Sequence, residues 1–389
     1  MTQERTTGDE PFALPRRRFV RDAAAAATAA CLSPGLLLGC RAAPGRADAG
    51  GADAMEQALE MMRGLAPLTN HGPMAAEALV ALGRAGQVVA WVEGYRRRFT
   101  DAAPRPQRAV TRENWREALG DGRRVADWTE FFERELKEAA WTRVIEQWSA
   151  ALAPGLAAAA AHGLIRTAHA ARSLSVRETA LRRGELAAGL GYWAAYYQPL
   201  PEATAAPPER LRPAQALGRV PLLPAEKRRG GSIMNALRGL EEFAPFAAAA
   251  DLVGAPDEPG RFLSELTETF AGAYVERANR RNRIVLLHAV TGTAALRSLL
   301  PHLSPETARK VLRYGWQVAA ALYSIAAGGP ADGAPAGEQP GREDLIDRAV
   351  ATEDEHAIKL TEACLREHAL NPRPVYLRAA LDAATQPMF

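Results

Sequence analysis

One lysine and a set of histidines carry most of the chemistry this chain offers. Glu355-His356-Ala357-Ile358-Lys359-Leu360 places a histidine and a lysine three residues apart, beside the stripe Leu345, Ala349, Thr352, His356, Leu360 and Ala363. Of the 48 basic residues only Lys137, Lys227, Lys310 and Lys359 are lysines, and the first three stand in charged surroundings. A buried lysine can give up its proton, whereas arginine in a protein cannot. Lys359 is therefore a candidate for a site that needs a neutral or carboxylated amine. The alternative is a surface lysine that snorkels outward from the edge of an amphipathic helix.

The histidines differ in setting. His288 interrupts the apolar run Ile284-Val285-Leu286-Leu287-His288-Ala289-Val290. An unpaired buried polar group costs about 1–3 kcal/mol, so this ring must be hydrogen-bonded or metal-bound. His162 and His169 lie two turns apart on one helix face with Arg166 between them, among alanines that permit close helix approach. His71, in Thr69-Asn70-His71-Gly72-Pro73-Met74, is expected just outside a helix mouth, with Pro73 at the first helical position. His302 reads as a turn residue, and His368 suits the negative end of its helix.

His71, His162, His288 and His356 fall on four separate helical segments, and such residues can converge inside a bundle to hold a metal. Imidazole-rich sites suit iron, copper, zinc or nickel, and spacing alone does not choose among them. The chain has no H-E-x-x-H, which disfavours a thermolysin-like zinc peptidase. Besides a redox-active metal centre two readings stay open: a zinc- or copper-binding helical protein without such activity, and a helical binding lipoprotein whose histidines are scattered core residues.

The elements that must position these residues are helical. The 389 residues are 48% hydrophobic, 24% charged and rich in alanine, enough for a full core of helices. Period-two alternation is rare. Helices are expected over Met55–Leu65, Met74–Arg97, Asp127–Leu152, Leu156–Leu174, Val176–Gln198, Ile233–Ala250, Arg261–Leu300, Pro305–Ala327, Glu343–His368 and Pro374–Ala384. Leu200–Pro224 and Gly328–Gly341 are Pro/Gly-rich loops, and candidate site residues fall on both sides of each. The fold class is thus all-α, one multi-helical domain over residues 55–389. A net charge of +3 gives no footprint for nucleic acid. Neither a G-x-G-x-x-G after a strand nor a Walker loop is present, so a Rossmann domain is not expected.

Residues 1–40 read as an export leader. Arg16-Arg17-Arg18-Phe19-Val20 has the form of a twin-arginine signal, and Leu36-Leu37-Leu38-Gly39-Cys40 resembles a lipobox. Residues 41–54 read as a flexible linker. The expected location is periplasmic or membrane-anchored, touching the membrane only through a lipid on Cys40; a cytosolic protein with a basic tail is the alternative. Cys31, Cys40 and Cys364 are the only cysteines, so there is no disulfide framework, and Cys364 follows core spacing from Leu360.

Five motifs in order give a resemblance. They are Asn70-His71-Gly72-Pro73-Met74-Ala75-Ala76-Glu77-Ala78-Leu79, Trp91-Val92-Glu93-Gly94-Tyr95, His162-Gly163-Leu164-Ile165-Arg166, Leu287-His288-Ala289-Val290-Thr291 and Asp354-Glu355-His356-Ala357-Ile358-Lys359. Together they resemble the questin oxidase-like family over roughly residues 58–385. Fungal members of that family oxidise anthraquinone-type aromatic polyketides by oxygen insertion or ring cleavage. The resemblance implies a helical fold and a mononuclear non-haem Fe(II) that uses O2. It implies His71, His162, His288, His356 and a carboxylated Lys359 as ligands, the carboxyl group derived from CO2, with NADPH an open question as co-substrate. His169 stands where fungal members carry tyrosine. The chain departs from them in its export leader and in Gly72-Pro73-Met74-Ala75, where fungal members are more histidine-rich.

On this reading the partner is a small aromatic molecule. Lys359 and Arg166 are the catalytic candidates, Arg166 to stabilise an anionic substrate or a peroxo oxygen. Tyr95, Tyr192, Trp193 and Tyr196 would line an aromatic pocket, or serve as core residues.

Overall fold

A computed structural model of the chain describes residues 49–65, 71–98, 104–202, 210–254, 258–328, 332 and 340–386. The expected leader, with Arg16, Arg17 and Cys40, lies outside the described residues, as does the first part of the expected linker. Among the described residues there are seventeen α-helices and no strand. α1 (Ala49–Met61), α2 (His71–Ala81) and α3 (Val88–Arg96) lead to the single turn α4 (Trp115–Ala118), then α5 (Val125–Glu138) and α6 (Trp141–Leu152). α7 (His162–Val176) and α8 (Ala180–Ala195) follow, then the short α9 (Pro213–Leu217), α10 (Ile233–Arg238) and α11 (Ala244–Ala247). The longest are α12 (Pro259–Arg277), α13 (Arg283–Leu299) and α14 (Pro305–Ala326); α15 (Arg342–Ala351), α16 (Glu355–Leu370) and α17 (Pro374–Thr385) come last.

Four helices form a closed ring at the centre. α2 packs on α7, α7 on α13, α13 on α16, and α16 back on α2. Small residues make this possible: Ala75, Ala76 and Ala78 on α2, Ala168 and Ala171 on α7, Ala289 and Ala295 on α13, and Ala357 and Ala363 on α16 are all buried. Gly163 permits the closest approach to an outer helix, because a Cβ there would lie 2.6 Å from the Trp193 backbone of α8. α5 and α8 pack together outside α7, and α12, α14 and α17 cover α13 and α16.

Several helices expected to be continuous are broken, each by a local cause. Met74–Arg97 divides after Ala81, where Gly83 takes φ +77° and Arg84 N–H reaches back to Leu79 O at 2.8 Å. That is the left-handed glycine stop of a helix C-terminus. Asp127–Leu152 divides at Ala139, which is extended. Arg261–Leu300 divides at a turn in which Asn279 N–H donates to Asn282 Oδ1 at 2.7 Å. Ile233–Ala250 is a chain of short helical pieces. Glu343–His368 divides at Glu353, with φ +56°, so the expected stripe from Leu345 to Ala363 belongs to two helices. The expected linker already turns helical at Ala49.

The largest departure lies before α7. A helix from Leu156 was the sequence expectation, but Ala159, Ala160 and Ala161 have φ of +48°, +58° and +68°. A left-handed conformation costs an alanine roughly 1–2 kcal/mol. The turn is fully packed, and Ala161 abuts Gly292 of α13, where an added Cβ would come within 3.2 Å. Tertiary packing therefore holds a backbone that local propensity disfavours.

Candidate metal centre

Each helix of the central ring contributes to one cluster. His71 is the first residue of α2, His162 the first of α7, His288 lies in the second turn of α13, and His356 and Lys359 lie in the first turns of α16. All five side chains are buried, none more than 8% exposed. His71 was expected just outside its helix, with Pro73 first; α2 instead begins at His71 itself, with Pro73 third.

Ring centroids are 4.7 Å apart for His71 and His162, 4.5 Å for His71 and His356, 4.5 Å for His162 and His288, and 5.5 Å for His288 and His356. One nitrogen from each of His71, His162 and His356 lies within 4.8 Å of the others. His288 Nε2 is 3.1 Å from His162 Nε2. Lys359 Nζ donates to His71 Nδ1 at 2.9 Å.

The outward nitrogens are already engaged. His162 Nδ1–H donates to Ala159 O at 2.5 Å, and His288 Nδ1–H donates to Ile284 O at 2.6 Å. His356 Nδ1 is 3.3 Å from Asp354 Oδ1, the same carboxylate oxygen that caps α16 by accepting from His356 N at 2.7 Å. The two carbonyl hydrogen bonds fix the tautomers of His162 and His288 and turn their Nε2 atoms inward, while the Asp354 carboxylate lies beside His356 Nδ1. The left-handed alanine turn supplies one of them, since the Ala159 carbonyl holds the His162 ring.

Burial also sets the charge state. It is the main cause that holds the His71 and His288 imidazoles well below their ordinary value and lowers His356. Burial, with Lys359 nearby, lowers His162 to about 3. Lys359 is lowered to about 8, burial outweighing the opposing pull of Glu355 and Asp354. The rings are thus neutral near pH 7, and His162 and His288 aim two Nε2 lone pairs at each other across 3.1 Å. Neither nitrogen holds a proton to bridge the gap, so the donor set fits a cation bound by neutral imidazoles. Two nitrogens on one metal, each at roughly 2.0–2.1 Å, can be no more than about 4.2 Å apart; the 3.1 Å pair satisfies this directly.

The remaining candidates fall elsewhere. His169 joins an ionic network one helical level away: its Nδ1 lies 2.6 Å from Glu77 Oε2, and Arg172 spans Glu77 of α2 and Glu362 of α16 at 2.5–2.7 Å. His302 packs edge-on to Trp141 and bonds Ser175 Oγ, and His368 Nδ1 meets the Arg373 backbone. Cys364 is fully buried, and burial pushes its thiol pKa up, as a core residue would have it.

Arg166 forms a two-bond fork with Glu185, Nε to Oε1 at 2.6 Å and Nη2 to Oε2 at 2.8 Å. Its charge is therefore already balanced. Both residues line a cavity of about 830 Å³. Of the four aromatic candidates only Tyr192 and Tyr196 line it. Tyr95 is stacked on Trp91 at 5.1 Å, and Trp193 is buried against Gly163. Pro73, two residues beyond His71, and Arg166, one turn beyond His162, belong to the cavity wall.

Sequence reasoning missed Asp354, Glu185, Arg172 and Glu362 as partners. Arg172 and Glu362 had a legible signal, being charges at helical spacing from His169 and Lys359. The alanine turn had none.

An all-α ring of four helices that turns four neutral imidazoles and a lysine inward defines a class of candidate metalloprotein. The chain belongs to the questin oxidase-like family, whose sequence profile matches residues 68–364. Membership supports an oxidoreductase-type function. A comparison with curated proteins finds no match.

Proposed function

We propose that this chain is a mononuclear iron-dependent oxygenase acting on an aromatic, polyketide-like compound. His71, His162, His288 and His356 would hold the metal, with Lys359 as its carbamate supplying the anionic ligand. The observation that carries this reading is the His162–His288 pair: two Nε2 atoms at 3.1 Å whose Nδ1 protons are both committed to backbone carbonyls. Ferrous iron held there would supply the redox chemistry for a reaction of O2 with an aromatic ring.

The chain's own residues prepare for this. Ala159 O and Ile284 O orient the His162 and His288 rings before anything binds, and Asp354 stands beside His356 Nδ1. Lys359, lowered to about 8, offers a neutral amine in an appreciable fraction of molecules at neutral pH. Its nitrogen lone pair can attack CO2: an N–C bond forms, one C=O π bond opens to give the carboxylate oxygen, and the nitrogen loses one proton to water. The 830 Å³ cavity beside α2 and α7 has the size of a drug-sized ligand site, and it would orient the ring and exclude bulk water.

Metal analysis of the purified protein tests the reading. Iron near one atom per chain supports it, zinc or copper in its place favours a metal protein without oxygenase activity, and absence of metal overturns it. O2 uptake with a hydroxylated aromatic, measured with and without NADPH, then shows whether an external reductant is used. The proposal extends to export by the twin-arginine route and anchoring at Cys40. Arg16→Lys with Arg17→Lys should hold the protein in the cytoplasm, and unchanged export would remove that part.

A further inference from the structure

The wall of the 830 Å³ cavity holds a buried ion pair for which oxygen chemistry has no evident use. Arg166 and Glu185 have side chains only 11% and 10% exposed. The other charged residues of the wall, Arg63, Arg123, Glu130 and Glu133, are exposed. Around the pair the wall is largely apolar, with Leu59, Met62, Val125 and Leu181, and with the rings of Tyr192 and Tyr196 tilted by 42° at 4.5 Å.

The fork uses Arg166 Nε and Nη2 and one lone pair on each Glu185 oxygen. Neither side chain makes another hydrogen bond among the described residues, so the second Nη2 proton, next to the carboxylate, the Nη1 protons and the remaining carboxylate lone pairs are uncommitted. A ligand carboxylate placed there would gain the guanidinium but meet the Glu185 charge at nearly the same distance, after losing its hydration. A hydroxyl suffers no such conflict. It donates to Glu185 and accepts the free Nη2 proton of Arg166, and both bonds are charge-assisted.

We propose that the Arg166–Glu185 pair is the polar recognition point of this cavity, and that it selects an uncharged, hydroxyl-bearing aromatic ring over the same ring carrying a carboxylate. This replaces the expectation that Arg166 stabilises an anion. It rests on the cavity being the substrate site and does not depend on the metal.

Calorimetric titration of the purified full chain with 1-naphthol, 1-naphthoate and naphthalene tests it. 1-Naphthol should bind at least about tenfold more tightly than 1-naphthoate, a difference of about 1.4 kcal/mol. Glu185→Gln, which leaves Arg166 uncompensated, should narrow that ratio at least fivefold by improving naphthoate binding. Equal or tighter naphthoate binding by the wild type overturns the proposal, as does an unchanged ratio in folded Glu185→Gln. Should that variant not fold, the double variant Arg166→Gln/Glu185→Gln serves instead. It should lose the preference for naphthol over naphthalene, and keeping it would be equally fatal. Failure of all three probes to bind saturably would overturn the cavity assignment while metal content still speaks for the metal centre, so the two readings fail separately.

Discussion

Lys359 Nζ sits 2.9 Å from His71 Nδ1, with both side chains buried and 288 residues apart in the chain. Arginine at position 359 could neither lose its charge nor be carboxylated. Lys359→Arg should therefore reduce metal content to below about a tenth of wild type while far-UV circular dichroism stays helical. Fitting the larger guanidinium into that buried position should also destabilise the fold by about 1–3 kcal/mol, the usual range for overpacking. Bicarbonate should raise the metal occupancy of CO2-depleted wild type and leave the variant unchanged. Normal metal binding by the variant would remove the carbamate from the ligand set.

His288 and His169 are both buried or nearly so, yet only His288 faces another cluster nitrogen. His288→Ala should abolish tight metal binding. His169→Ala should keep the metal and lose stability through Glu77, which it hydrogen-bonds. Side-by-side metal titration of the two variants separates ligand from support.

Glu77 gives a pH prediction. Burial alone would raise its pKa, but Arg172 beside it and the His169 hydrogen bond outweigh burial and lower it from 4.5 to about 2. A depressed carboxylate contributes stability that is present above the unfolded value and lost as pH falls through the folded one. Between pH 4.5 and 2, wild type should therefore lose stability more steeply than Glu77→Gln. Urea denaturation at several pH values in that window measures the two slopes, and parallel slopes would show that Glu77 is not linked.

Gly163 follows His162 and lets α7 lie against α8, where a Cβ would come within 2.6 Å of Trp193 Cα. Gly163→Ala must displace backbone rather than a flexible side-chain end. A cost of about 1–3 kcal/mol is expected, the usual range for overpacking. Because His162 moves with the helix, metal affinity should fall as well. A variant with wild-type affinity and stability would show that the helices can separate freely at this point.

The sequence made the helical class and the cluster of buried histidines legible for particular reasons. His288 stood out because its neighbours are apolar, and Lys359 because the chain uses so few lysines. Helix ends were less legible. Glu353 gave no hint of its positive φ, and Gly83 was absorbed into an apparently continuous pattern. The alanine turn at residues 159–161 runs against propensity, so only packing against α13 specifies it. Arg166 was visible as a charge, but the carboxylate that balances it lies on another helix. Pairings of that kind depend on tertiary approach and leave little trace in one chain.

The span between His71 and Lys359 also orders events during synthesis. A nascent chain that has not yet released α16 carries at most three of the four imidazoles and lacks the amine, because His356 and Lys359 both lie on that helix. Closing so long a loop is unfavourable until helix packing compensates. The cluster is thus completed only after α16 has left the ribosome and docked between α2 and α13. Incorporation of any metal there is a late step, and a truncated product ending before Glu355 would be unable to compete for it.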